Sequence, residues 1–185
     1  DSELSRSYWL FKLISHPALV KLGAGLGPLA LNIGFKGLLK STIFKQFVGG
    51  ENINDCSETV KQLAKFHIGT ILDYSVEGKE SEKDFENCFH ETIETIHKAK
   101  TDKNIPFCVF KVTGLARLAL LEKVSANLPL NADETAEWER VKTRVYAICT
   151  TAAENDQCIF IDAEESWIQQ AIDDLANENM AKFNK

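Results

Sequence analysis

The stretch that decides the fold is Phe107-Cys108-Val109-Phe110-Lys111-Val112-Thr113-Gly114, an apolar run that ends in a glycine. Runs rich in β-branched and aromatic residues are typical of strands. Two further runs, at 68–76 and at 158–161, flank it along the chain. Amphipathic segments separate the three runs, and this alternation is typical of a parallel sheet covered by helices. We therefore predict an α/β fold.

The segments between the apolar runs read as helices with recognisable starts. Ser81 with Asp84, and Asn131 with Glu134, have the spacing at which an N-cap side chain meets the third helical residue. The first pair predicts a helix over 81–99 and the second a helix over 132–153. A shorter helix is expected over 115–124, and a last one follows the third run.

Residues 1–56 have a different composition and form a separate N-terminal helical region in our prediction, with the α/β part covering 57–185. Gly49-Gly50 reads as the end of a helix with a left-handed glycine cap. The apolar stretch 17–39 is interrupted by Lys21, Lys36 and five glycines, so we predict no transmembrane helix, while peripheral contact with a membrane stays open.

Composition narrows the classes of function. A formal charge of −6 with no basic stripe argues against nucleic acid as a partner. Five cysteines, odd in number and without a C-x-x-C pair, predict neither a disulfide framework nor a zinc site, and four scattered histidines add no metal ligand set. We expect no metal, no signal peptide and a reducing compartment.

Carboxylates collect where the apolar runs end. Asp73 and Glu77 follow the first run, and Asp162, Glu164 and Glu165 follow the third. Side chains alternate along a strand, so Asp73, Ser75 and Glu77 are expected on one face. In parallel α/β barrels the carboxyl ends of the strands form the active site. The alternative interpretation is that these carboxylates cap the helices that follow.

Lys111 is the sharpest anomaly, because an ammonium group stands inside an apolar strand. Burying it costs several kcal/mol unless a counter-charge is near. Lys111 therefore faces carboxylates of neighbouring strands or an anionic substrate, unless it extends to solvent from an edge strand. A Schiff-base lyase using Lys111, and a non-catalytic interaction module, are the alternative functions that the residues leave open.

Four motifs in this order resemble proline dehydrogenases of the single-activity kind. They are 44–51 (FKQFVGGE), 71–78 (ILDYSVEG), 110–115 (FKVTGL) and 161–166 (IDAEES). The resemblance implies a (β/α)8 TIM barrel, of which these residues would form a partial barrel, the first three βα units, preceded by N-terminal helices. It also implies FAD bound at the carboxyl ends of the strands.

The resemblance further implies that L-proline is oxidised to 1-pyrroline-5-carboxylate, with hydride passing to FAD and electrons then to a quinone in a membrane. In that family the lysine matching Lys111 holds the substrate carboxylate. The acidic residues matching Asp73 and Glu77 pair with arginines of the final helix, and the aspartate matching Asp162 supports the flavin site.

Family members also carry further strands with additional FAD contacts. We therefore expect these 185 residues alone to retain no FAD, to be inactive, and to form a homo-oligomer. The expected location is cytoplasmic with peripheral membrane contact, or alternatively the mitochondrial matrix or inner membrane.

Overall fold

The computed structural model of the chain describes residues 2–32, 37, 40–74, 76 and 78–184, which divide into two compact units, Asp1–Ser57 and Glu58–Lys185. Each unit has its own internal contacts. No helix within the described residues is both long and apolar enough to cross a membrane.

The N-terminal unit is helical. It contains α1 (Ser2–Ile14), α2 (Pro17–Asn32), a π-helical turn (Lys40–Phe44) and α3 (Lys45–Phe47). Ser7 Oγ donates to Gln46 Oε1 at 2.7 Å, and the rings of Phe11 and Phe47 meet edge to face at 5.9 Å. These contacts pack α1 against α3, where edge-to-face geometry is the favoured aromatic arrangement.

The predicted left-handed glycine cap after this helix is wrong. Val48 is extended after α3, and neither Gly49 nor Gly50 has a positive φ. Gly50 instead lets the backbone approach Asp55 and Cys56 closely, because a Cβ at Gly50 would lie 2.7 Å from Asp55 Cβ and 3.0 Å from the Cys56 backbone nitrogen. The glycine thus allows the turn before the next helix to fold back tightly.

The C-terminal unit alternates helices and short strands, with one 3₁₀ turn. In chain order they are α4 (Ser57–Ala64), β1 (Ile71–Asp73), α5 (Glu82–Thr101), β2 (Phe107–Phe110), the 3₁₀ turn (Val112–Gly114), α6 (Leu118–Ser125), α7 (Ala132–Glu154), β3 (Cys158–Ile161) and α8 (Gln169–Phe183).

The capping signals are confirmed. The Ser81 side chain accepts from the Asp84 N–H at the start of α5, and Asn131 with Glu134 forms a complete capping box at the start of α7. Such caps satisfy N–H groups that have no partner inside the helix. Local chemistry therefore fixed both helix starts.

The three strands form one parallel sheet in the order β1-β2-β3. Ile71 pairs with Phe107, and Phe107 pairs with Cys158. The predicted strands at 68–76 and 107–112 are too long. Pro106 stands opposite Thr70 and carries no N–H for the ladder, and beyond Phe110 the chain turns into the 3₁₀ turn.

The two faces of the sheet differ in burial. Leu72, Cys108 and Phe110 face the helices and are buried, and the Cys108 thiol lies 3.7 Å from the Thr95 carbonyl oxygen of α5. On the opposite face Phe107 and Phe160 stack at 4.9 Å, and 47% of Phe160 is exposed. We call this second face, formed by Ile71, Phe107, Val109, Cys158 and Phe160, the open face.

Helices α5 and α7 are joined through a buried cation. The Arg144 side chain is only 6% exposed, donates to Glu82 and to Glu86 (3.1 Å), and lies over the Phe85 ring. Arg140 also contacts Glu82, at 2.8 Å. Burial raises the pKa of Glu82, but the hydrogen bonds from Arg140 and Arg144 outweigh it and lower the pKa overall.

Candidate functional site

Charged side chains meet at the carboxyl ends of β2 and β3. Lys111 directly follows β2 and Asp162 directly follows β3, and the register of the two strands places them side by side. The Asp162 N–H donates to the Phe110 carbonyl oxygen at 3.0 Å, which continues the ladder by one step. The backbone thus brings together two residues that are 51 positions apart in sequence.

The Lys111 ammonium donates to the Asp162 carboxylate. Lys111 is 23% exposed at its side chain and Asp162 44%, so the pair is half-buried rather than solvated. A carboxylate in contact compensates part of the cost of withdrawing an ammonium from water. Because β2 is the central strand of the sheet, the alternative of a lysine on an edge strand is wrong.

Asp73 is the last residue of β1 and is exposed at the carboxyl end of the sheet. It pairs with Val109, so it lies on the same face as Lys111 but two residues earlier along its strand. Ser75 and Glu77 lie outside the described residues. The structure therefore places three of the four predicted site residues, and it joins Lys111 to Asp162.

A second link between the strand ends was missed from the sequence. Thr113 donates through its N–H to Glu164 Oε1 at 3.1 Å and through its hydroxyl to Glu164 Oε2. The Glu164 N–H in turn donates to Gln169 Oε1 at 2.8 Å. We call Thr113, Glu164 and Gln169 the strand-end clamp.

The clamp has a signal in the sequence. Thr113 lies two residues after Lys111, and Glu164 lies two residues after Asp162. When two parallel strands continue alongside each other, residues that lie equally far beyond two neighbouring residues are neighbours as well. The common offset could therefore have predicted the second contact from the first.

Gly114 makes the closest approach near the site. A Cβ on Gly114 would lie 2.7 Å from Cys88 Sγ and 3.1 Å from the Val76 carbonyl oxygen. The turn after β2 thus packs directly on α5 and on the segment that follows β1. Burial raises the pKa of the Cys88 thiol to about 11, and it does the same for Cys108 and Cys149, so these thiols act as core residues.

A cavity of about 400 Å³ lies beside the clamp, and its lining includes Thr113, Glu164, Lys79 and Glu80. Its lining carries three carboxylates (Glu80, Glu164 and Glu165) and one ammonium group (Lys79), so its charge does not favour an anionic ligand. Among the residues described, no three His, Cys, Asp or Glu side chains are grouped so as to hold a metal ion.

A parallel sheet covered by helices, with its charged residues at the carboxyl ends of the strands, is the arrangement of α/β proteins whose sites lie at that end. Residues 56–185 match the family model described as proline dehydrogenase. The chain belongs to the proline dehydrogenase family.

Individual relatives cover about four fifths of the chain. It is 30% identical over 150 residues to the carbapenem antibiotics biosynthesis protein CarD of Pectobacterium carotovorum subsp. carotovorum, covering 81% of the chain and 40% of that protein. It is 26% identical to proline dehydrogenase 1, mitochondrial, of Arabidopsis thaliana (80% and 37%), and 28% identical to proline dehydrogenase 1, mitochondrial, of Dictyostelium discoideum (80% and 32%). The chain thus spans two fifths or less of each of these relatives.

Proposed function

We propose that the protein carrying this chain is a flavin-dependent proline dehydrogenase, which oxidises L-proline to 1-pyrroline-5-carboxylate. The observation that carries the proposal is Lys111, an ammonium group held by Asp162 at the carboxyl end of the central strand. An ammonium presents three N–H donors, so one side chain can bridge a protein carboxylate and a substrate carboxylate. Membership of the family supplies the reaction class.

In this proposal Lys111 binds the carboxylate of proline and fixes the orientation of the ring. Orientation is the main contribution a protein makes when a cofactor carries the redox chemistry. Asp162 holds Lys111 in place and supports the flavin side of the site. Asp73 and Glu77 pair with arginines that close over the substrate.

The described residues fit the substrate better than they fit FAD. The pyrophosphate of FAD requires cations, helix N-termini or glycine-rich backbone, whereas these strand ends carry Asp73, Asp162 and Glu164 beside Lys111. We therefore assign no FAD phosphate contact to this chain. The chemistry that FAD would supply when bound is acceptance of the hydride of proline, with a quinone as the acceptor of the electrons.

The proposed architecture is a (β/α)8 barrel that contains this three-stranded sheet. Parallel order, helices on one face and an apolar open face support it, because the inner wall of a barrel is packed with branched and aromatic side chains. The relatives from Arabidopsis and Dictyostelium are named mitochondrial, which favours a mitochondrial location over a cytoplasmic one. Peripheral contact with the membrane would give access to the quinone.

The contact between Lys111 and Asp162 argues against the Schiff-base alternative. A carboxylate in contact favours the charged form of an amine, whereas a Schiff base needs the neutral amine. Family membership argues against both this alternative and a non-catalytic module.

Absorbance spectroscopy of the protein that carries this chain tests the proposal. We expect a bound yellow chromophore that bleaches when L-proline is added and recovers with a quinone. A colourless protein whose Lys111 is trapped by borohydride with a carbonyl substrate would instead establish the lyase.

A further inference from the structure

The 3₁₀ turn that follows Lys111 is capped in an unusual way. Lys111 is the N-cap residue of this turn, and its side chain makes no capping hydrogen bond. It has no acceptor atom with which to do so, since an ammonium group only donates. The N–H groups at the start of such a turn lack partners within it and need an acceptor from elsewhere.

Glu164 provides that acceptor from the segment after β3. Its carboxylate accepts hydrogen bonds from both the Thr113 N–H (3.1 Å) and the Thr113 hydroxyl. Thr113 itself is only 9% exposed. A charged acceptor in a half-buried position makes stronger hydrogen bonds than a neutral one. The turn is therefore held from a segment 51 residues away rather than by its own N-cap.

The same carboxylate sits one step beyond the Lys111–Asp162 contact. The backbone link between β2 and β3 ends with the Asp162 N–H on the Phe110 carbonyl, and past it the side-chain clamp holds the two chains together. The Glu164 N–H is itself held by Gln169 at the start of α8. Lys111 and Asp162 thus lie between a backbone hydrogen bond on one side and the clamp on the other.

We propose that Glu164 is a positioning residue: by capping the turn at Thr113 it fixes where the Lys111 ammonium stands relative to Asp162. Loss of the clamp leaves Lys111 in the protein but lets the strand ends separate. An anion bound by Lys111 is then bound more weakly, while the chemistry after binding is little changed. The expected effect on KM rests on the proposed function, whereas the expected effect on how firmly Lys111 is held does not.

The test compares Glu164→Gln with Glu165→Gln in the protein that carries this chain. Both changes remove one negative charge from the lining of the cavity, but only the first weakens the clamp, because a Gln amide keeps one acceptor oxygen where the carboxylate has two. We expect Glu164→Gln to raise KM for L-proline about tenfold, equivalent to about 1.4 kcal/mol, with kcat within about twofold. Glu165→Gln should leave both constants within about twofold.

Two variants of the partner residue separate positioning from simple destabilisation. Thr113→Val removes the hydroxyl and should raise KM for L-proline. Thr113→Ser keeps the hydroxyl and should have the KM of the wild type. A rise in KM that is equal for Glu164→Gln and Glu165→Gln would show an effect of charge alone and overturn the proposal. A lower melting temperature with unchanged KM would overturn it as well.

A second readout does not depend on proline oxidation. Acetic anhydride modifies lysines, and mass spectrometry gives the rate at Lys111. We expect Lys111 to be modified several-fold faster in Glu164→Gln than in Glu165→Gln, because the ammonium is held less firmly. Equal rates would overturn the positioning role, whereas failure of the wild-type protein to oxidise proline would reject the proposed function alone.

Discussion

At the scale of single residues, Lys111 differs from the other cations of the chain in its position and not in its charge. Twenty-one lysines and arginines are present in the chain, yet Lys111 is the cation placed at the end of the central strand with a carboxylate beside it. Fixing a charge in a half-buried site makes it more effective than an exposed one, since water screens it less. A substrate anion bound there would meet a preorganised ammonium.

Lys111→Met in the protein that carries this chain should raise KM for L-proline and leave the flavin content unchanged. Methionine keeps the length and apolar stem of the side chain but removes the charge. The expected fall in kcat/KM corresponds to a loss of about 2–5 kcal/mol in transition-state stabilisation, as for truncating one partner of a desolvated charge pair. Steady-state kinetics and the visible spectrum provide the measurement. Lys83→Met, at an exposed lysine of α5, is the control and should change nothing.

How far the site could be predicted depends on the kind of information each residue needed. Lys111 is evident from sequence because a charge within an apolar strand requires a partner. Its partnership with Asp162 requires the register of two strands that lie 51 residues apart, and no local pattern encodes that register. Thr113 and Glu164 are polar residues of ordinary kind, and their equal offsets from Lys111 and Asp162 predict that they meet only once that register is known.

Gly114 is the residue at which a single methyl group should matter most. In Gly114→Ala the new Cβ meets Cys88 Sγ at 2.7 Å and the Val76 carbonyl oxygen at 3.1 Å, and we expect a loss of about 1–3 kcal/mol in the free energy of unfolding. Denaturant unfolding measures it. Cys88→Ala in the same chain should recover part of the loss, and Gly23→Ala, where nothing lies within 4 Å, should cost nothing.

At the scale of elements, the helices were more predictable than the strands. Both capping pairs and the whole of β3 agree with expectation, because caps and short apolar runs are local features. The start of β1 at Ile71 depends on Pro106 across the sheet, and the end of β2 depends on the turn that Glu164 caps. Strand length is thus set by a neighbour, which sequence periodicity does not reveal.

The contact between α5 and α7 should make stability depend on pH. The pKa of Glu82 is lower in the folded chain than its ordinary value of 4.5, with the hydrogen bonds from Arg140 and Arg144 outweighing burial. A lowered pKa gives stability that is present above about pH 4.5 and is lost as the pH falls through the folded value. Melting temperatures measured from pH 6 to pH 3 should therefore fall less in Glu82→Gln than in the wild type.

The matched control for this titration is Glu94→Gln, an exposed carboxylate on the same helix. It should leave the pH profile of the melting temperature as it is in the wild type. If Glu82→Gln and the wild type lose stability in parallel, the contact with Arg144 does not titrate in this range, and the buried arginine serves packing alone.

At the scale of the whole molecule, the sheet has one covered face and one open face. Leu72, Cys108 and Phe110 are buried under helices, whereas Ile71 and Phe160 on the other face are 46% and 47% exposed. Apolar side chains exposed together on a sheet favour association, as do the edges of β1 and β3, which pair with no further strand among the described residues. In the proposed barrel the same face would be turned inward and packed.

We predict that these 185 residues, prepared alone, are colourless and self-associate, most simply as a dimer. The described strand ends carry the carboxylates of Asp73, Asp162 and Glu164, which disfavour the FAD pyrophosphate, and we expect the open face to bury more than about 1,000 Å² against a second copy. Light scattering and a visible spectrum test both expectations. Phe160→Asp places a charge on the open face and should yield monomers, whereas Glu94→Gln on α5 should not. A yellow monomer that bleaches with proline would show that three strands suffice to hold the flavin, and would reject this prediction.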